Sequence, residues 1–295
     1  MSVNSFIPQI WHAGLLRELE NVHVFSSLTN KNYEQDSKNA GSVIINQISN
    51  PSVSTYSDAS GITFEDIQTS SQTLNLDQEK YWAYRLKNLD KIQSKDGGAL
   101  MQQAMQGAAY AVNDTLDAAI AAKYSDAGIK EGSGGGALGT SSVPINITAD
   151  GSGTSTKVVD WLSALARRMG EANVPGSQEK TVVVPYWLEQ KMVKAKILDA
   201  RGIDNNGTYA NGKISTAYGF TLKSSNNVSN NGTNYRVMAG NTNCITLAMQ
   251  LDRIKAGERD EYFEDYIAGY VVYGLKTIRA DQLLCSIVTE GTEGA

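Results

Sequence analysis

Six carboxylates crowd one short segment of this 295-residue chain: Asp252, Glu258, Asp260, Glu261, Glu264 and Asp265. Two carboxylates on one surface are what general acid and base work requires, one protonated and one ionised. Arg253, Lys255 and Arg259 interleave with them. Mixed signs at this density fit a solvated or intersubunit face that forms ion pairs better than a catalytic dyad.

The remaining chemistry is thinner. His12 and His23 have no Ser or Cys nucleophile motif beside them, so packing or surface hydrogen bonding accounts for both. The chain has no H-E-x-x-H and no C-x-x-C, which leaves no zinc-type ligand spacing. Gly132 to Gly136 lacks the Lys-Ser/Thr ending of a phosphate-cradling loop and reads as a linker. Asp204-Asn205-Asn206-Gly207 starts like a calcium loop but lacks the alternating acids and terminal Glu. Tyr81, Trp82 and Tyr84 offer stacking surfaces for single-stranded bases, but Arg85, Lys87 and Lys91 are a modest basic supply for that use. Strand packing is the plainer reading. No catalytic residue, cofactor or metal is expected, and the chain is not expected to be an enzyme.

Composition narrows the class further. A formal net charge of −5 with no basic run argues against a surface built to grip nucleic acid or anionic lipid. An apolar content of 41% is enough for a genuine core. Cys244 and Cys285 lie far apart in sequence and read as buried thiols in a reducing compartment. Met1 to Glu20 lacks a basic leader and a continuous apolar stretch, so a cytosolic protein is expected. Nothing approaches the roughly 20 apolar residues that span a bilayer.

The elements that must position these residues follow from periodicity. Ile7, Ile10, Trp11, Leu15, Leu16 and Leu19, broken by Pro8 and Gly14, predict an extended arm ending in a short helix. Strand-like runs at Ser42 to Ile48 and Gln72 to Asp77 flank a segment rich in Ser, Thr, Asn and Asp. A lone two-stranded ribbon is marginal in water, so this arm needs a partner surface. Lys80 to Leu89 alternates as a half-buried strand. Met101, Met105, Ala108, Val112, Leu116, Ile120 and Tyr124 recur at steps of three and four, which predicts a helix over Ala99 to Tyr124. Gly128 to Gly139 then reads as a flexible break.

In the second half, a helix is predicted from about Thr154 to Met169 with Val158, Trp161, Leu162, Leu165 and Met169 inward and Gly170 at its end. Thr181 to Val184 reads as a buried strand stopped by Pro185, and Tyr186 to Ala200 as a helix with Leu188, Met192, Val193 and Ile197 inward. Arg201 to Asn234 reads as surface loops around a short Gly219 to Lys223 strand. Tyr235 to Ala239 is a strand, Cys244 to Gln250 a strand or a strand and short helix, and Tyr266 to Arg279 a long closing β segment. The class is α+β.

The order of these pieces carries a resemblance. The arm with Trp11 and Leu15-Leu16, the two-stranded arm closing in Leu74-Asn75-Leu76-Asp77-Gln78, and the Ala-rich helix with Ala108-Ala109-Tyr110-Ala111 resemble tailed-bacteriophage major capsid proteins. Ala172-Asn173-Val174-Pro175 before Thr181-Val182-Val183-Val184-Pro185 is similar to the entry of that family's axial domain. Glu258 to Asp265 leading into Val271-Val272-Tyr273-Gly274 is similar to its closing peripheral strand.

The resemblance implies the Hong Kong 97-like capsid fold. Residues 1–40 would be the N-terminal arm, 41–78 the extended β-hairpin loop, 79–158 and 240–295 the peripheral domain with spine helix 99–124, and 159–239 the axial domain. It implies a shell of hexamers and pentamers, icosahedral, enclosing double-stranded DNA, assembled in the host cytoplasm and ending in the virion. Intersubunit contacts are expected at Trp11 and Leu15 of the arm, at Ile44, Tyr56, Phe64, Glu65 and Asp66 of the loop, and at Arg259, Glu261 and Glu264. Some relatives carry a cleaved scaffolding segment before the arm, so the resemblance implies either a separate scaffolding protein or a processed product, Met1 favouring the former, with a portal, possible decoration proteins and no membrane as further partner expectations. A mildly acidic wall would let packaged DNA move, whereas a basic one would bind it. A surface-layer or tail-tube subunit stays open as an alternative, and an enzyme less so.

Overall fold

The computed structural model describes residues 24–33, 41–48, 51–56, 58, 61–62, 64–87, 97–131, 144–151, 155–195, 216–259 and 264–292. In chain order the strands begin with β1 (Thr29–Asn30), β2 (Ser42–Ile48), β3 (Thr69–Asn75), β4 (Gln78–Lys87) and β5 (Ile129–Glu131). There follow β6 (Ile145–Thr148), β7 (Thr156–Lys157), β8 (Lys180–Val184), β9 (Thr216–Ala217) and β10 (Phe220–Ser224). The last are β11 (Asn234–Gly240), β12 (Ile245–Arg259), β13 (Glu264–Thr277) and β14 (Leu284–Glu290). The helices are α1 (Gly97–Ala121), α2 (Val158–Glu171) and α3 (Tyr186–Lys194).

α1 is the predicted long helix, and it tightens into a 3-10 turn over Ala122–Asp126. Its length is about 37 Å at 1.5 Å per residue. Ala108, Leu116 and Ile120 are buried at the helical spacing read from sequence. Two polar side chains, Asn113 and Asp117, share that buried face. Asp117 Oδ2 accepts the backbone N–H of Val24 at 3.2 Å, which holds the 3-10 turn Phe25–Leu28 against α1.

A four-stranded sheet in the order β1-β12-β13-β4 lies over α1. Its inner face brings Leu247, Met249, Ile267, Val271 and Tyr273 onto Ala109 and Leu116. Burial alternates along β13 from Ile267 to Tyr273 with period two, as a sheet with one packed face requires. The segment read as a strand or a strand and short helix at Cys244 to Gln250 is the start of a strand that continues to Arg259, and the register shifts between Leu251 and Arg253. Trp82 turns inward over Gly269, where a Cβ would overlap the indole, while Tyr81 points to water.

An eight-stranded sheet has the order β7-β6-β14-β11-β8-β10-β9, with β5 also on β14. Its core packs α2 and α3 against Val182, Val184, Leu222, Val237 and Val288. All five predicted inward residues of α2 are buried. Gly170 does not end that helix, however. The turn falls at Asn173, whose φ of 55° is the left-handed conformation that Asn tolerates. In α3, Leu188 and Met192 are buried but Val193, expected inward, is exposed. Lys191 takes the inward place at the three-residue step from Leu188, and its Nζ donates to the carbonyl of Gly291 at 3.1 Å. Ile197 lies outside the described residues.

Two stretches read as loops contain strands. Within Gly128 to Gly139, Ile129–Glu131 pairs parallel with β14, and 132–139 lies outside the described residues. Within Arg201 to Asn234, the expected Gly219 to Lys223 strand is present as β10, and an additional strand, β9, forms a tight hairpin with it through Tyr218 and Gly219, both at positive φ, the geometry of a primed two-residue turn. Its Phe220 is buried in the core. The eight-stranded sheet therefore draws strands from 129–131, 145–157 and 284–290 as well as from 159–239.

Candidate assembly surface

Among the described residues, β2 and β3 pair only with each other, in register from Ser42↔Asn75 to Ile48↔Thr69. One face of this ribbon is packed: Val43, Ile45 and Leu74 are buried against Ala248, with Tyr33, Leu76 and Ile278 around them. Alternation sends Ile44 and Ile48 to the other side, into water. The ribbon is thus rooted on its own four-stranded sheet along one face and bare along the other.

The root is held by backbone and side-chain contacts. Leu76 N donates to Gly41 O at 3.0 Å across the base. Gln72 Nε2 donates to Ile278 O at 3.4 Å. The carbonyl of Asn75 and Cα of Leu76 occupy the space a Cβ of Gly274 would need, so the chain leaves the ribbon by crossing directly over β13 at a glycine.

Beyond the paired strands the exposed apolar residues continue. Val53 is 98% exposed and Phe64 90%, and Tyr56, Ile62 and Ile67 are also in water. Large side chains at that exposure, concentrated in one excursion, mark a surface awaiting a partner. The tip is not shapeless. Ser52 donates its backbone N–H at 3.0 Å and its hydroxyl to the Glu65 carboxylate. The hydroxyl bond first, and then the backbone bond, hold the Glu65 carboxyl below its ordinary value.

The residues expected at subunit contacts fall into three groups. Ile44, Tyr56, Phe64, Glu65 and Asp66 all lie exposed on the ribbon. Trp11, Leu15 and Glu261 lie outside the described residues. Arg259 and Glu264 are paired across the β12–β13 ladder. Glu264 is buried within the single chain, its Oε2 3.9 Å from Arg85 Nη1, so it faces its own sheet. Sequence reasoning missed Gly274, whose role depends on what crosses above it.

The structure offers little reactive chemistry among the described residues. No group of three or more His, Cys, Asp or Glu is placed to hold a metal ion there. Cys244 and Cys285 are free and buried. Desolvation pushes their thiols up to about 11 and about 12, far from the thiolate range. No described helix is long and apolar enough to cross a membrane.

Known proteins are similar to this chain in both sequence and fold. The family described as phage capsid protein matches residues 82–283. A solved structure from Mycobacterium phage Che8 is 24% identical, covers 90% of each chain and superposes with a TM-score of 0.67. The capsid of cyanophage P-SCSP1u is 15% identical over 92% of this chain and 89% of that one, with a TM-score of 0.64. The mature capsid of bacteriophage PhiM1 is 13% identical over 92% and 88%, also at 0.64. No curated protein matches significantly.

Proposed function

The chain belongs to the phage capsid protein family, and from that premise we propose that it closes, through hexamers and pentamers, into an icosahedral shell around a double-stranded DNA genome. The observation that carries this reading is the ribbon. Its large apolar side chains, from Ile44 to Ile67, are left exposed by the described residues of the chain that bears them. A shell gains cohesion from many modest interfaces repeated by symmetry, and an arm spreads such contact onto neighbours.

In the Hong Kong 97-like scheme, 41–78 is the extended loop, α1 the spine helix, and the four-stranded sheet with α1 the peripheral domain. We place the axial domain on the whole eight-stranded sheet, including β5, β6, β7 and β14, since one core joins them. Of the residues expected in the arm, 24–33 pack on α1 and β12 and join the peripheral domain in this scheme, and the others lie outside the described residues. Assembly in the host cytoplasm with a scaffolding protein and a portal, with room for decoration proteins, completes the scheme. The role is structural, with contacts between subunits in place of catalysis.

Electron micrographs and sedimentation of the purified chain test the proposal. Closed particles of uniform curvature support it. Tubes or flat sheets would favour a tail-tube or surface-layer subunit, and a monomer at every concentration would overturn assembly altogether.

A further inference from the structure

The two main sheets exchange the chain at three described places: from the 3-10 turn after α1 into β5, from β11 into β12, and from β13 into β14. All three passages converge on the short connector 278–283. Ile278 N and Arg279 N both donate to Cys244 O, at 3.0 and 3.2 Å. Gly128 N donates to Ala280 O at 2.8 Å and Ile129 N to Leu283 O at 3.1 Å. Thr277 Oγ1 donates to Asp126 Oδ2 at 3.1 Å. A Cβ on Gly128 would overlap the Ala280 carbonyl, and one on Gly240 would meet Cys244 Sγ at 2.9 Å, so the strands meet here at backbone distance.

Amides fill the centre of this joint. Asn241 is fully buried, and its Nδ2 donates to Gln282 Oε1 at 2.8 Å and to Gln178 Oε1 at 2.6 Å. Asn243 Nδ2 reaches the same Gln178 oxygen at 3.4 Å. Cys244 Sγ donates to the carbonyl of Gln282 at 3.1 Å and lies 3.2 Å from Asn241 Oδ1. Five side chains from three separate segments, Gln178, Asn241 with Asn243 and Cys244, and Gln282, thus share one set of hydrogen bonds between the sheets. Buried amides accept few geometries, because each misplaced donor or acceptor is left unpaired away from water.

We infer that the Gln178–Asn241–Gln282 amide triad fixes the angle between the two sheets and thereby selects the curvature, and so the size, of the particle this chain builds. The inference rests on the assembly reading above. In an assembly made of one repeated chain, a small change of angle within each subunit is multiplied around every closed ring. A joint of directional hydrogen bonds holds that angle more narrowly than apolar packing, which is not directional.

The test assembles the full-length chain and three variants, Asn241→Ala, Gln282→Ala and Gln178→Ala, and measures particle diameters by electron cryomicroscopy. Ser163→Ala, which removes an exposed bond to the carbonyl of Asp160 on α2, away from the joint, is the control. The expected result is one diameter for the wild type and the control, and two or more diameters or open fragments for the joint variants. Gln178 lies in a loop between α2 and β8 and outside both apolar cores, so its variant reads the joint even where Asn241→Ala fails to fold. A single wild-type diameter in every folded joint variant overturns this inference alone. A wild-type chain that forms no closed particle overturns the assembly reading, and this inference with it.

Discussion

The backbone carbonyl of Asn75 sits over Gly274, in the space a Cβ at that position would fill. The obstacle is main chain, which cannot swing aside as a flexible side chain would. A side chain at 274 must lift the root of the ribbon from β13 or push β13 out of its ladder with β12. Gly274→Val is therefore expected to reduce particle yield at least tenfold while far-ultraviolet circular dichroism keeps its wild-type shape. Normal assembly of this variant would show that the crossing does not matter.

Trp161 ties α2 to the last strand. Its indole nitrogen donates to Ser286 Oγ at 3.0 Å inside the core of the eight-stranded sheet. Trp161→Ala removes the largest fully buried side chain among the described residues and is expected to cost about 3–5 kcal/mol. Trp161→Phe keeps most of the volume but strands the Ser286 hydroxyl, at a cost of about 1–3 kcal/mol from the unpaired group. Urea denaturation of unassembled chain measures both, and a cost under 0.5 kcal/mol for Trp161→Ala, roughly the range of neutral surface changes, would contradict the packing described.

The thiols give a pH dependence of definite sign. Burial raises Cys244 to about 11 and Cys285 to about 12, from 9.0. The folded chain thus holds these protons more tightly than the unfolded chain. Their contribution to stability is complete below pH 9 and falls as pH rises toward 11 and 12. Native protein at pH 8 should resist iodoacetamide and react quickly in urea. Rapid labelling of the native chain would count against this burial.

The clasp at the ribbon tip has the opposite sign. Glu65 is held below its ordinary carboxyl value by Ser52, so the clasp is present at neutral pH and is lost as the solution is acidified through that lowered value. Ser52→Ala and Glu65→Gln are both expected to speed amide exchange across 51–68 at pH 7 without moving the thermal midpoint, because both groups are exposed. Unchanged exchange in both variants would remove the clasp.

Periodicity exposed the parts of this fold whose pattern is local. α2 was legible because Val158, Trp161, Leu162, Leu165 and Met169 recur on one helical face, and all are buried. The ribbon strand Ser42 to Ile48 was legible by its alternation and falls at those bounds, while its partner lies at Thr69–Asn75, shifted from the expected Gln72 to Asp77. What stayed hidden depends on contacts distant in sequence. β14 is short and mixes Leu284, Cys285, Ile287 and Val288 with Ser286, Thr289 and Glu290, and only its pairing with β11, β6 and β5 makes it a central strand. Lys191 reads as a surface cation until Gly291 supplies a buried acceptor. Of the expected contact residues, the ribbon's Ile44, Tyr56 and Phe64 announced themselves as apolar groups in a polar segment, whereas Glu264 read as one more surface acid because its Arg85 neighbour comes from a strand far earlier in the chain.

Sedimentation velocity, with electron micrographs of the same samples, compares the intact chain with a variant in which residues 51–66 are replaced by a short Gly-Ser turn. That change removes the exposed tip and leaves Val43, Ile45 and Leu74 on the sheet. The account predicts closed particles from the intact chain and a folded, non-assembling species from the variant. Ordinary closed particles from the tip-less chain would contradict it.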